Sequence, residues 1–514
     1  MGPSLAGSHA IYKRSDVIEG EGICGVDEYI AENEFNTDGD NGLAPLGSGL
    51  QTCEIACDAD REFYNLNGSN VQNTVNDIER VMNSVEVIYE RDVSITYEIT
   101  YIIVRTSEPD PYSSSNPNTL LSQFRNTWNA NFGSVPRDIA HLFTGKNIDG
   151  GVIGIARLSA ICDQQEGYGL SQSRYSSNFA LRVGLTAHEL GHNWSSQHCG
   201  GSDCRIMCPS NGGCTGDVTR FGQSSRNQII GHRNTRTCLN EHPSEIFPPF
   251  VDTFPSNIDP DKWSWIRGGV TANIAQNEPS EPLALNLDGF GPDPWQQDEI
   301  RSTWINMFQN PLPLRSTLSY WTQARGVNAG EALRVEFRAS NNQWLFLNDV
   351  VSDGTTEDYF TFHFHELPTN AKHDRFRVRF QSGVDFVLND WWIDNVSVAH
   401  SDIDVSVVPQ ASAVPAGGQL LFDAAVQNLV GSQRSSEAWI DVFRPDGSPL
   451  FASNPKFGPK SFGVQGFQTK QRTDLRINVN GSVPAGTGYR CVAYIGVFPN
   501  EVHHAADFFF TVTN

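Results

Sequence analysis

Long apolar runs are missing from this chain. No stretch of its 514 residues approaches the roughly 18 consecutive apolar residues of a membrane-spanning helix, which excludes a helical span. Basic residues are scarce as well. The 36 Lys and Arg stand against 59 Asp and Glu, a net charge of −23, which removes the electrostatic footing for nucleic acid or an anionic membrane. The opening Met1-Gly-Pro-Ser-Leu-Ala-Gly7 lacks the apolar core of a signal peptide. Cysteine nearly vanishes from the second half: after Cys238 only Cys491 remains, a buried and unpaired thiol on this reading.

Elsewhere cysteine is concentrated. Six of the ten, Cys162, Cys199, Cys204, Cys208, Cys214 and Cys238, crowd around one segment, as in a disulfide-braced extracellular domain. Secretion is the expectation, with the signal segment outside this sequence. Within that region Thr186-Ala-His-Glu-Leu-Gly-His-Asn-Trp-Ser-Ser-Gln-His198 contains H-E-x-x-H and then a third histidine. His188 and His192 lie one helical turn apart on one face, so two imidazoles can reach one ion, and Glu189 can hold the water that ion activates. His198 cannot continue that face, so the chain must turn to bring it in. Three neutral nitrogen ligands with an open fourth position describe a catalytic zinc site, not a structural one. The preceding Phe179–Ala187 run suits a helix capped by Ser177 or Asn178. Met207 follows within Cys204-Arg-Ile-Met-Cys208.

His188 to His198 with the following Met207 resembles the metzincin signature, H-E-x-x-H-x-x-G-x-x-H plus a Met-turn. His188-Glu-Leu-Gly-His-Asn193 before Trp194 is most similar to the adamalysin (reprolysin, ADAM-like) branch, especially its bacterial members. The resemblance spans about residues 49–242. It implies His188, His192 and His198 as zinc ligands, Glu189 as general base and acid, and Met207 as an apolar floor. Two positions depart from the family. Ser195 stands where the family has Gly, at a turn whose left-handed conformation costs another residue roughly 1–2 kcal/mol. Cys199 stands where these proteases usually carry Asp, so the support beneath the site must differ, with a disulfide as one form. Cys24-Gly25 resembles the Cys-Gly pair of metzincin pro-segments, whose thiolate takes the open zinc position and keeps a zymogen latent. A disulfide from Cys24 to Cys53 or Cys57 is the alternative, and both stay open. Of the nine cysteines through Cys238 at most eight can pair among themselves, which makes Cys24 the candidate left over.

Taken in order, residues 1–48 read as a leader or pro-segment remnant. Residues 49–242 read as α/β: a strand over Gln51–Phe63, a helix from a Ser69/Gln72 capping box through Val71, Val75, Ile78, Met82, Val85 and Ile88, and an alternating strand from Ile95 to Ile103. A helix marked by Leu120, Leu121, Phe124 and Trp128 follows, then strands Asp138–Thr144 and Val152–Leu158, with Tyr168–Ser173 as a short edge strand. Pro243–Pro249 reads as a linker. Residues 243–400 show the short alternating strands of an all-β sandwich. There Asn389-Asp-Trp-Trp-Ile-Asp-Asn-Val396 resembles the final strand of reelin- and MAM-like jelly rolls, which implies a jelly-roll-like domain with Asp394 as a calcium ligand. Eight of the eleven tryptophans fall here and are more simply core than sugar platform. His363 and His365 share one face of a strand, more simply a surface pair than a second metal site. Residues 401–514 read as a second sandwich, and Pro484-Ala-Gly-Thr-Gly-Tyr-Arg-Cys491 has the look of a tyrosine corner in immunoglobulin- or fibronectin-like domains.

The expected architecture is thus multidomain: an α/β zincin, then two all-β sandwiches, jelly-roll-like and immunoglobulin/fibronectin-like. Motif and resemblance imply a secreted zinc endopeptidase acting on a protein or peptide substrate. Zinc is its cofactor, calcium a candidate second ion, and the sandwiches target a carbohydrate or cell-surface ligand. Two other readings stay beside it. One is a binding or adhesion protein on a vestigial zincin scaffold, against which the intact Glu189 argues; the other is a zinc hydrolase of a non-peptide bond.

Overall fold

The computed structural model describes residues 23–24, 49–242, 245–289, 298–309, 314–384, 386–452 and 454–514. They fall in two compact units, one within Ser8–His242 and one of Pro243–Ser340 with Trp344–Asn514.

In the first unit β2 (Gln51–Ala59), β3 (Ile95–Val104), β4 (Ile139–Phe143) and β6 (Tyr168–Ser171) run parallel. At one side β5 (Val152–Ala156) runs antiparallel to β6, and the two-residue β1 (Ile23–Cys24) lies parallel to β5. The order is β1-β5-β6-β4-β2-β3, with β7 (Asn240–Glu241) also on β2. Among the described residues five α-helices accompany the sheet: α1 (Arg61–Leu66), α2 (Val71–Val93), α3 (Pro117–Asn131), α4 (Phe179–Asn193) and α5 (Gln223–Arg233). The apolar face of α2, with Val75, Ile78, Met82, Val85 and Ile88, is buried as its helical spacing requires.

Three expectations shift locally. The cap of α2 is Asn70, whose side chain accepts from Asn73 N, while Ser69 takes a left-handed φ of 53° and cannot serve. The strand expected over Gln51–Phe63 stops at Ala59, because Asp60 Oδ1 accepts from Phe63 N at 2.8 Å and starts α1. The segment expected at the sheet edge, β6, is interior and buried at all four positions. Outside it lies β5, with the two-residue β1 beyond, and the chain reverses between β5 and β6 through a turn where Asp163 Oδ1 accepts from Gln165 N and Glu166 N.

The second unit is almost entirely β. Its strands are β8 (Phe250–Asp252), β9 (Trp265–Arg267), β10 (Val270–Ala272), β11 (Ala284–Leu287), β12 (Glu299–Arg301), β13 (Arg315–Arg325), β14 (Ala332–Arg338), β15 (Trp344–Val351), β16 (Thr361–Glu366), β17 (Val378–Ser382) and β18 (Asp390–Ser401). They form one sheet ordered β10-β11-β18-β13-β16, with β8 on β18, and another ordered β15-β14-β17-β12-β9. One core joins both sheets: Leu318, Tyr320 and Ile393 meet Leu333, Val335 and Phe380. Trp263 and Trp391 are buried in it, as core tryptophans.

The remaining strands are β19 (Ile403–Pro409), β20 (Ala413–Pro415), β21 (Gln419–Asn428), β22 (Arg434–Phe443), β23 (Phe457–Val464), β24 (Thr469–Asn478), β25 (Gly486–Val497) and β26 (Glu501–Thr513). They make sheets β19-β21-β24 and β20-β26-β25-β22-β23 around Phe422, Ile477, Val442, Ile495 and Phe510. Cys491 is a buried free thiol there. Phe362, Trp439 and Tyr494 cluster where the two pairs of sheets meet, and Arg490 Nη1 donates to Phe362 O at 2.7 Å.

Candidate metal centre

Helix α4 carries His188, Glu189 and His192, and every residue from Ala180 to Asn193 is buried. Asn178 caps its start by accepting from Ala180 N, and Tyr89 OH of α2 donates to Ala187 O at 2.9 Å. The helix stops at Asn193 and the chain reverses at Ser195, a non-glycine residue at φ 74°. Ser159, itself at φ 60°, donates its hydroxyl to Ser195 Oγ at 2.8 Å. Gln228 Oε1 of α5 accepts from Ser196 Oγ and Gln197 N. The reversed chain brings His198 back to the helix.

The three imidazoles converge through one kind of atom. His188 Nε2 lies 3.1 Å from both His198 Nε2 and His192 Nε2, and the last pair is 3.2 Å apart. His188 Nδ1 is 2.6 Å from Ile206 O, and His192 Nδ1 is 2.8 Å from Ser196 O. A carbonyl only accepts, so each Nδ1 carries the proton and each Nε2 turns a lone pair inward. Burial favours this neutral state: it pushes His188 down to about 3, with neighbouring His198 adding to the effect, and pushes His192 well down too. Converging lone pairs repel unless a cation lies among them. At zinc–nitrogen bonds of about 2.0–2.1 Å, tetrahedral ligands stand roughly 3.3–3.4 Å apart, close to the spacing here. The donor set fits the ion.

The family model of the reprolysins, metallo-peptidase family M12, matches residues 49–231. Residues 49–231 are a reprolysin domain. Among similar proteins, the zinc metalloproteinase-disintegrin-like brevilysin H2a of Gloydius brevicauda is 30% identical over 148 residues, covering 28% of this chain and 34% of the relative. Disintegrin and metalloproteinase domain-containing protein 10 of Xenopus laevis is 25% identical over 181 residues, covering 30% of this chain and 24% of the relative. The chain therefore spans about a third or less of the length of the curated relatives it matches.

Within the reprolysin domain Glu189 is fully buried, and burial pushes its carboxyl well up. Met207 is buried too, and a methyl added at Gly191 would stand 2.6 Å from its sulfur. Cys24 arrives on β1. Its Sγ lies 3.5 Å from His192 Nε2 and 3.5 Å from Glu189 Oε2, while its backbone N donates to Pro209 O at 3.1 Å. Cys24 Sγ and the three histidine nitrogens all fall within 4.8 Å of one another. Cys24 forms no disulfide with Cys53 or Cys57, which are buried free thiols. The expectation of a single leftover cysteine fails for that reason: β2 buries Cys53 and Cys57 as small apolar residues, so three of the nine stay unpaired. The other six pair as Cys162–Cys238, Cys199–Cys204 and Cys208–Cys214. The bridge at Cys199 braces the loop that presents Ile206 O to His188.

Several contributors had no motif to mark them. Asn193 Nδ2 donates to Arg157 O and Tyr168 O, tying the end of α4 to the strands beside it. Gly154 of β5 lies against Glu189; a glycine inside a strand does signal such a close approach. In the second unit Asp394 is buried and accepts from Ser280 N and Asn395 N. His363 and His365 bond Thr322 Oγ1 and Tyr320 OH and stack on the Tyr320 ring.

Proposed function

We propose that this chain is a secreted zinc endopeptidase held latent by its own leader. The convergence of three Nε2 atoms at 3.1–3.2 Å, two of them left proton-free by the carbonyls on His188 Nδ1 and His192 Nδ1, carries the reading. His188, His192 and His198 would hold zinc through those atoms, with Met207, packed against Gly191 of α4, as an apolar floor to the site. When bound, the ion supplies Lewis acidity that acidifies water and polarises a carbonyl. Glu189 takes a proton from the attacking water as the C–O bond forms, then delivers it to the amine nitrogen as the C–N bond breaks. Substrate lies extended along β5, held by main-chain hydrogen bonds; the pairing of Ile23–Cys24 on that strand supports an edge that accepts extended chain.

Cys24 is the latency device. Its Sγ and the three histidine nitrogens lie within 4.8 Å of one another, and as a thiolate it would join them in holding zinc and keep water from the ion. The three disulfides support an oxidising, extracellular setting. The domains run 1–48 (leader), 49–242 (protease), 243–400 (jelly-roll-like) and 401–514 (immunoglobulin/fibronectin-like), and the last two target a carbohydrate or cell-surface ligand. A tyrosine-corner bond, Tyr489 OH to Pro484 O at 2.7 Å, supports the last assignment. Calcium at Asp394 is supported by crowding around the Ser280 hydroxyl. Its oxygen lies within 2.6–3.2 Å of four acceptors, Asp394 Oδ1 and Oδ2, Asn395 Oδ1 and Thr253 O, yet it has one proton to give.

The test is a pair of substitutions. Cys24→Ala should cleave casein without processing of the leader, and adding Glu189→Ala should abolish that cleavage with zinc still bound. Activity of the Glu189→Ala protein near the parent level would remove Glu189 from the mechanism. An unprocessed parent as active as Cys24→Ala would remove the latency.

A further inference from the structure

The C-terminal sandwich contains a cleft of about 780 Å³ that the peptidase reading does not use. It lies between its two sheets, flanked by β23 and β24, the terminal strands of their respective sheets. Val405, Val426, Ile440, Phe457, Phe462 and Leu475 line its walls, the composition of a ligand pocket.

Three cations share those walls. Arg472 pairs across the sheet with Ala424, Lys470 with Val426, and Lys460 with Ala438. Cross-strand partners project to the same face, and Ala424, Val426 and Ala438 pack against the core between the sheets. Two bulges bring this about. On β24 two residues, Thr473 and Asp474, oppose the single Asp423 between Phe422 and Ala424, with Asp474 at φ 56°, and Arg472 and Lys470 turn inward in place of Thr473 and Gln471. On β23 a similar irregularity at Gly458, φ 86°, turns Lys460 inward. No hydrogen bond or ion pair joins these three side-chain cations to another described residue, whereas most arginines in this unit have carboxylate or aromatic partners. Between Lys456 and Arg476 the chain carries five basic residues and one acid, Asp474, within a protein of net charge −23.

We infer that this cleft binds an anionic amphiphile: one hydrocarbon chain between the sheets, with its carboxylate at Lys460, Lys470 and Arg472. An added peptide strand is the poorer occupant. Pro459 removes a donor from β23, and a bulge with inward charge interrupts β24, features that resist strand addition. A hydrocarbon chain needs no backbone partner and gains from every methylene it buries. The inference stands apart from the peptidase reading.

Isothermal titration of the full chain with dodecanoate tests it, with dodecan-1-ol, acetate and an acidic extended peptide as comparisons. Saturable one-to-one binding of dodecanoate is expected, at least tenfold tighter than dodecanol, with none for acetate or the peptide. The exposed triple substitution K460Q/K470Q/R472Q should weaken dodecanoate at least tenfold with an unchanged circular dichroism spectrum. The inference is overturned by absent or non-saturable dodecanoate binding, by equal affinity for dodecanol or in the triple variant, or by acetate or the peptide binding as tightly as dodecanoate.

Discussion

Gly154→Ala should disable catalysis while sparing the metal ligands. A Cβ at Gly154 would stand 2.3 Å from Glu189 Oε1, 2.7 Å from its Cδ and 2.8 Å from its Cγ. Non-bonded heavy atoms settle at about 3.5 Å, so the carboxylate must retreat by about 1 Å. Glu189 is fully buried and has little room to do so. Overpacking of this kind costs about 1–3 kcal/mol. Displacing a catalytic group by about 1 Å costs about 100-fold in rate. In a Cys24→Ala background, which removes latency, kcat/KM on a fluorogenic peptide should therefore fall about 100-fold. Zinc content should stay at the parent level, because the three atoms nearest the new methyl all belong to Glu189 and none to a histidine, and Tm should drop by a few degrees. A variant within about threefold of its parent would show that Glu189 does not act from the position it holds here.

Asn193→Ala removes two donated bonds, at 2.8 and 3.1 Å, and should cost about 2–3 kcal/mol in urea unfolding of the first unit; a loss under about 0.5 kcal/mol would show that the bonds do not hold α4 in place. Tyr489→Phe should cost about 1 kcal/mol through loss of the bond to Pro484 O, and an unchanged unfolding midpoint would contradict that. Burial raises the Asp441 carboxyl to about 7, so between about pH 4 and 7 the folded state keeps a proton that the unfolded state has lost. The stability this group contributes is complete below about pH 4 and falls as pH rises through 7, by up to about 1.4 kcal/mol per pH unit. Asp441→Asn should thus gain on its parent between pH 5 and pH 8 in urea midpoint; a constant difference between the two proteins would refute the assignment.

What the sequence made legible was whatever a spacing can encode. The four-residue interval places His188 and His192 on one helical face, and Ser195 at φ 74° occupies the turn that the third histidine demanded. Alternation and helical periodicity gave β3 and α2 nearly whole. Features set by backbone atoms were not legible. Ile206 O and Ser196 O, which fix the imidazole tautomers, belong to residues whose side chains have no part in it. Position within the sheet was hidden too: the short segment Tyr168–Ser173 reads as an edge, yet its strand Tyr168–Ser171 is buried with neighbours on both sides. Single-residue bulges escaped for the same reason, since Asp474 reverses which side of β24 faces inward without breaking its polar pattern.

The central claim is that three imidazoles hold a catalytic zinc ion, and metal content measured together with peptidase activity tests it most directly. Processed protein should contain one zinc per chain, lose peptide cleavage on chelation and recover it when zinc is returned; His198→Ala should fold yet fail to retain the ion. Metal-free protein that cleaves peptides at the parent rate, or full zinc occupancy in His198→Ala, would contradict the account.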